Sequence, residues 1–179
     1  MRVQTPQQTE ILQGGVSTST PLWRCILVPM DFSAPSEAAF TYALRIAKGS
    51  GAIIHVCHVI PIPHVLDALY ERGLEQPESV KRIEQKARKR IKELALTTGT
   101  DIALRVHFCE GEALSGVLEQ ATKLKPDLIV MGTHGRRGAK RFFLGSVAEG
   151  VVRRAPCPVL TLRPPLDPTS QEDKKGATL

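Results

Sequence analysis

The chain is expected to fold as one α/β domain, a single doubly wound five-stranded parallel sheet with helices on both faces. Three observations predict it: short aliphatic runs bounded by turn residues, amphipathic patterns at helical spacing between those runs, and a scarcity of aromatics. Hydrophobic residues make up 42% of the 179 residues, enough for a sizeable core in one domain. Only one Trp, two Tyr and five Phe are present. The core must therefore be aliphatic, and the Ile/Val/Leu runs that supply it read as buried strands rather than as an all-β sandwich.

Residues 24–30, Arg-Cys-Ile-Leu-Val-Pro-Met, form an apolar run that follows a polar leader and ends at Asp31, the first strand. Ser33-Ala-Pro-Ser-Glu37 supplies helix-start chemistry, with a proline tolerated in an early helical position and a carboxylate suited to the N-terminal dipole. Ala38, Ala39, Tyr42, Ala43, Ile46 and Ala47 recur at helical spacing until Gly49-Ser-Gly51 stops the helix. Residues 52–60 are a second strand, closed by Pro-Ile-Pro. Between Pro61 and Pro77 the pattern weakens to one short helical turn around residues 65–70, and this stretch reads as a variable connection.

Residues 77–96 give the clearest helix. Val80, Ile83, Ala87, Ile91, Leu94 and Ala95 lie on one stripe; Lys81, Arg82, Lys86, Arg88, Lys89, Arg90 and Lys92 lie largely elsewhere, as a solvated face. Gly99 ends it. Residues 101–108 alternate partially, as in a less completely buried strand. Glu110-Gly-Glu112 opens a helix that runs to about Lys125, and Pro126-Asp127 turns out of it. Leu128-Ile-Val-Met131 is a continuous apolar strand leading straight into Gly132. Residues 146–154 are helical, with Val147, Gly150 and Val151 on one side, and residues 158–162 form the last strand. The resulting order, β-α-β-α-β-α-β-α-β, is that of a parallel sheet covered on both faces. Ligands in such folds bind beyond the carboxyl ends of the strands, where strand order reverses. Chemistry is therefore expected at Asp31, after Val59 and after Met131.

No apolar run reaches the length of a membrane span, and the polar first 21 residues lack the apolar stretch of a secretory signal. A soluble, cytoplasmic protein is expected, with residues 1–23 as a flexible leader, 24–163 as the domain and 164–179 as a disordered tail. Cys25, Cys57, Cys109 and Cys157 lie far apart in or beside apolar segments, with no spacing that suits zinc. They read as buried thiols rather than a disulfide framework or a nucleophile. The five histidines, His55, His58, His64, His107 and His134, show no metal-ligand pattern either. The net charge of +6 is uneven, with basic residues gathered at 81–92 and 136–141.

One constellation carries ligand chemistry. Met131-Gly-Thr-His-Gly135-Arg-Arg-Gly-Ala-Lys-Arg-Phe-Phe-Leu-Gly145-Ser146 follows a buried strand and precedes a helix. Glycines let the backbone approach an anion closely, so that successive N–H groups can point at phosphate oxygens. Ser146 falls where a helix N-cap is expected, and a helix start adds free N–H groups and a positive dipole end. Arg136, Arg137, Lys140 and Arg141 supply mobile positive charge. Each part alone has a plainer account, as a turn, a cap or surface solvation; their order is what describes a polyphosphate cradle. It is neither a Walker loop nor the Gly-x-Gly-x-x-Gly pattern.

Gly132-x-x-Gly135, nine residues, then Gly145-Ser146, flanked by Asp127-Leu-Ile-Val-Met131 and Ala155-Pro-Cys-Pro-Val159-Leu, resembles the universal stress protein family in its ATP-binding form. Ile26-Leu-Val-Pro-Met-Asp31-Phe-Ser33 and His58-Val59-Ile60 match it too, so the resemblance covers about residues 24–163. It implies an adenine nucleotide alpha hydrolase-like fold and ATP as ligand, with magnesium as an optional companion. It further implies that Asp31 contacts the ribose, that Pro29 and Val59 line the adenine pocket, and that Met131 and Gly132 pass beneath the nucleotide. Gly135, Gly145 and Ser146 would hold the phosphates, and Val147 would offer its backbone N–H. A homodimer through the last strand, 158–162, would cover an edge that is otherwise exposed. Neither a membrane nor a nucleic acid is an expected partner. Three function classes remain: a nucleotide-binding stress-response regulator, a slow nucleotide hydrolase for which no activated water or acceptor site is visible, and a scaffold that uses the basic surface.

Overall fold

The aliphatic runs pair side by side and in one direction, because a helical connection returns the chain to the same end of the sheet before each new strand begins. The computed structural model describes residues 22–61, 78–97, 102–133 and 144–163. The elements are β1 (Cys25–Pro29), α1 (Ala34–Ser50), β2 (Ile53–Ile60), α2 (Glu78–Leu96), β3 (Leu104–Glu110), α3 (Ala113–Leu124), β4 (Leu128–Gly132), α4 (Ser146–Arg154) and β5 (Val159–Leu162). All strands are parallel, in the order β3-β2-β1-β4-β5. The direction of winding thus reverses between β1 and β4, as the doubly wound reading requires.

Successive strand residues face opposite sides of the sheet. Ile26, Val28, Ile54, Val56, Leu128 and Val130 bury one face against Ala39, Phe40, Ala43 and Leu44 of α1 and Ile91 of α2. Leu27, Cys57, Ile129 and Met131 bury the other against Val117 and Ala121 of α3 and Ala148 and Val151 of α4. Two helices therefore cover each face.

β4 meets β1 through the pairs Ile26↔Leu128 and Leu27↔Ile129. The join is reinforced by Asp127, whose Oδ2 accepts from the backbone N–H groups of Arg24 and Cys25, both at 2.9 Å, while its own N–H donates to the Cys25 carbonyl at 2.9 Å. These donors hold the Asp127 carboxyl below its usual range.

Local chemistry accounts for the helix ends. Ser33 is the N-cap of α1, its Oγ accepting from Ser36 N–H, with Pro35 in the first turn; Gly51 closes the helix at φ 70°. Several expectations need correction, among them the four buried thiols, of which only Cys57 is buried while Cys25, Cys109 and Cys157 are half-covered. β3 runs over Leu104–Glu110 instead of 101–108, because its ladder with β2 extends to Ile60↔Glu110, and the next helix starts only at Ala113, capped by the Glu112 carboxylate. Tyr42 is exposed, since the buried stripe of α1 is Ser36, Ala39, Phe40, Ala43, Leu44 and Ala47. Ile83 is exposed as well: at 100° per residue it lies roughly 60° round the helix from Val80, off the line through Val80, Ala87 and Ile91. Ser146 is the first helical residue of α4, and Gly145 holds the N-cap position without a side-chain bond. The short turn expected at 65–70 and the stop at Gly99 lie outside the described residues.

Gly132 owes its identity to packing. A Cβ there would lie 2.7 Å from Pro35 Cβ and 2.8 and 2.9 Å from the Pro35 carbonyl carbon and oxygen, backbone atoms that cannot swing aside. Gly132→Ala is expected to cost about 1–3 kcal/mol as overpacking. Gly49→Ala, in α1 with nothing within 4 Å of the added carbon, is expected to stabilise by about 0.5–1 kcal/mol. Urea unfolding with an unchanged slope checks both; a neutral Gly132→Ala would show that α1 is free to draw back.

Candidate functional site

The reversal of winding opens a crevice where the chains leaving β1 and β4 diverge to opposite faces. Pro29 ends β1 half-buried; Met131 and Gly132 end β4 buried; Val59 lies near the end of β2, half-buried. Val59 and Met131 face the α3/α4 side, and strand alternation puts Pro29 there with Leu27. The residues implied for a base pocket therefore share one sheet face at one end.

Beyond β1 the chain turns sharply. Asp31 Oδ1 accepts from Ser33 N–H at 3.0 Å and from Ser33 Oγ–H at 2.6 Å, and the same Ser33 Oγ accepts from Ser36 N–H at 3.4 Å. The carboxylate thereby orients the hydroxyl that caps α1. Phe32 between them sits at φ 62°, a left-handed conformation that costs a non-glycine residue about 1–3 kcal/mol. Its ring packs on His58, with centroids 4.9 Å apart. The His58 Nδ1 lies 2.6 Å from the Met30 carbonyl oxygen, which can only accept, so Nδ1 carries a hydrogen. His58 thus ties β2 to the segment that presents Asp31.

Beyond β4, Thr133 is buried and fixes the far side of the crevice. Its N–H donates to Leu162 O at 3.0 Å, and its carbonyl accepts from Gly145 N–H at 2.8 Å. This second bond sets the start of α4 directly beside the end of β4. The first intrahelical bond of α4 runs from Glu149 N–H to Gly145 O, so Ser146, Val147 and Ala148 precede the helical ladder. At the starts of α1 and α3 a side chain serves the early N–H groups: Ser33 does so for α1, and Glu112 for α3, accepting from Leu114 N–H at 3.0 Å and Ser115 N–H at 2.8 Å. Glycine at 145 offers no such oxygen. The geometry suits an anion brought from outside.

Pro29, Asp31, Val59, Met131, Gly132, Gly145, Ser146 and Val147 all lie at this end of the sheet or at the helix start tied to it. Gly135 and the basic residues 136–141 lie outside the described residues. Sequence reasoning missed Thr133, Phe32 and the structural task of His58. A positive φ at Phe32 left no trace in the sequence.

The decisive comparison is with protein families: the description of the universal stress protein family matches residues 23–163. The chain belongs to that family. A universal stress protein of Methanocaldococcus jannaschii is 35% identical over 156 residues, covering 87% of this chain and 91% of the relative. The fold is similar to that of the Lactobacillus plantarum universal stress protein UspA, with a TM-score of 0.63 and 28% identity over 79% of this chain and 98% of the other. It is also similar to a universal stress protein in complex with cAMP, with a TM-score of 0.55 and 23% identity over 79% and 97% of the two chains. A further likeness is to an Archaeoglobus fulgidus universal stress protein in complex with dAMP, with a TM-score of 0.53 and 21% identity over 78% and 98%.

On the same face of this universal stress protein, away from the crevice, His55 Nδ1 and His107 Nε2 lie 2.9 Å apart, with the rings stacked at 5.1 Å. One ring must donate and the other accept, so at least one nitrogen of the pair is bare. Burial holds both histidines below their usual value of 6.5, helped at His55 by His107 and Arg105 and at His107 by Arg105 and Lys123. The unfolded chain then takes up protons that the folded chain refuses. Stability is expected to be full above pH 6.5 and to fall as the pH drops from there toward the lowered folded values. His107→Gln should flatten this dependence in urea midpoints taken from pH 7 to pH 5; an unchanged slope would remove the pair from the account.

Proposed function

We propose that this universal stress protein is a regulatory module of the stress response that binds an adenine nucleotide, ATP by its sequence pattern, in the crevice between β1 and β4. One observation carries the reading: the start of α4, capped by glycine and tied to Thr133, opens its first N–H groups beside the strand ends that bear Asp31 and Val59. Asp31 serves the ribose, and Pro29 and Val59 flank the base. Met131 and Gly132 floor the site, while Gly135, Gly145, Ser146 and the Val147 N–H take the phosphates, with or without magnesium. The cAMP and dAMP complexes of related proteins support an adenine ligand. The residues assigned here bind and orient; none forms a nucleophile and base pair, so the reading is binding rather than turnover. Family membership and the absence of a membrane-crossing helix among the described residues fit a cytoplasmic regulator.

The strand β5 lies at the sheet edge and is only half-buried. A second copy pairing through residues 158–162 would satisfy that edge, giving a homodimer of two 19.6 kDa chains.

Titration calorimetry with ATP is the test. Saturable binding is expected, and Asp31→Asn should weaken it by about 10–100-fold, as the loss of a charged acceptor does. Thermal melts of the variant separate that loss from any loosening of the α1 cap. The reading fails if ATP, AMP and cAMP all bind more weakly than about 1 mM.

A further inference from the structure

We propose that Cys109 is a modification site: a half-buried thiol, 3.8 Å from the Cys57 sulfur and on the side of Gln120, that hydroperoxides oxidise to a sulfenic acid. Three features of the α3-facing side of the sheet carry this. Cys57 Sγ and Cys109 Sγ lie 3.8 Å apart across β2 and β3, within reach of an S–H···S bond. The Gln120 side chain helps to lower the Cys109 thiol, yet Gln120 Oε1, in a residue 8% exposed, has no hydrogen-bond partner. And Gly116 seats the α3 backbone close on this face, an added Cβ standing 2.9 Å from Val59 Cγ2 and 3.4 Å from Cys109 Cβ, while Cys109 itself stays half-exposed and Cys57 is buried.

The neighbours make Cys109 unlike the other thiols. The Cys57 hydrogen bond, with help from Gln120 and Lys123, lowers it to about 7 against the opposing effects of burial and Glu119. Burial pushes the Cys25 and Cys157 thiols up, and the hydrogen bond to Cys109 and burial push Cys57 up. Of the four, only Cys109 is shifted toward the thiolate, and it is the half-exposed member of its pair, open to an electrophile where buried Cys57 is not.

In the reaction the Cys109 sulfur attacks one oxygen of the peroxide. An S–O bond forms as the O–O bond breaks, the sulfur gives up two electrons, and the departing oxygen leaves as water or an alcohol after taking a proton from solvent. The new S–O–H group supplies the donor that Gln120 Oε1 lacks. A disulfide is not the product. In the ladder Cys57 pairs with His107 and Cys109 with Val59, so the cysteines are diagonal. Strand spacing and rise put such α-carbons roughly 8 Å apart, beyond the span of an unstrained disulfide at about 4.4–6.8 Å. Cys57 is a hydrogen-bond donor to the reactive sulfur, and it stays reduced.

The test uses the full chain, reduced, then treated with hydrogen peroxide and trapped with dimedone, with adducts located by peptide mass spectrometry. The adduct is expected at Cys109, at least about tenfold faster than at Cys25 or Cys157 at pH 7. Alkylation of Cys109 by iodoacetamide should have its midpoint near 7. In Cys57→Ala that midpoint should rise toward about 8.5, the value of a free thiol. Equal rates at all cysteines, a wild-type midpoint near that of a free thiol, or a Cys57–Cys109 disulfide as main product would each overturn the proposal. The wild-type measurements need no variant, so a Cys57→Ala protein that fails to fold leaves the decision intact.

Discussion

The short parallel join between β1 and β4 is the contact on which the rest of the molecule depends. It brings together segments about a hundred residues apart, through two registered pairs and the Asp127 carboxylate. β1, β2 and β3 form one run of parallel strands and β4 with β5 another; only this join makes them a single sheet. The closure entropy of so long a loop grows slowly with its length, so a few well-placed bonds and a buried apolar seam suffice to offset it. With the join in place, winding reverses at one point and a crevice follows. Without it, only helix packing across the sheet would hold Asp31 and the start of α4 together.

Much of this was legible in the chain. The order of elements followed from five aliphatic runs and the helical patterns between them, and Ser33, Pro35 and Gly51 marked the ends of α1 by their own chemistry. What escaped was set by partners distant in sequence. Glu110 reads as a helix opener but joins a strand, because β2 offers it a pairing position at Ile60. Tyr42 and Ile83 fit a helical stripe on paper, yet the packing faces of α1 and α2 run beside them. The cysteines read as uniformly buried, whereas only Cys57 is; the others lie at half-covered positions.

At the site the same distinction applies. The glycines and Asp31 stood out by type and spacing, and the fold gathers the described ones at one end. Two of them proved to have structural duties as well. Gly132 makes room for the first turn of α1, and Asp31 orients the Ser33 hydroxyl that caps the same helix. α1, β1 and β4 are thereby locked together at the proposed ligand crevice, and the strain at Phe32 is borne by packing against His58. The His55–His107 and Cys57–Cys109 contacts could not be read in advance, because strand register alone decides which side chains meet across β2 and β3.

The bond between Gly145 N–H and Thr133 O has a reach beyond the crevice. It clamps both ends of the segment that follows β4 before α4 begins, so the sheet and helix are held independently of what lies between them. Doubling the length of a closed loop adds only about 0.6 kcal/mol. A change of length between the two anchors is consequently cheap for folding. The frame of the proposed crevice is thereby set by Thr133 and Gly145 themselves, whatever chain lies between them.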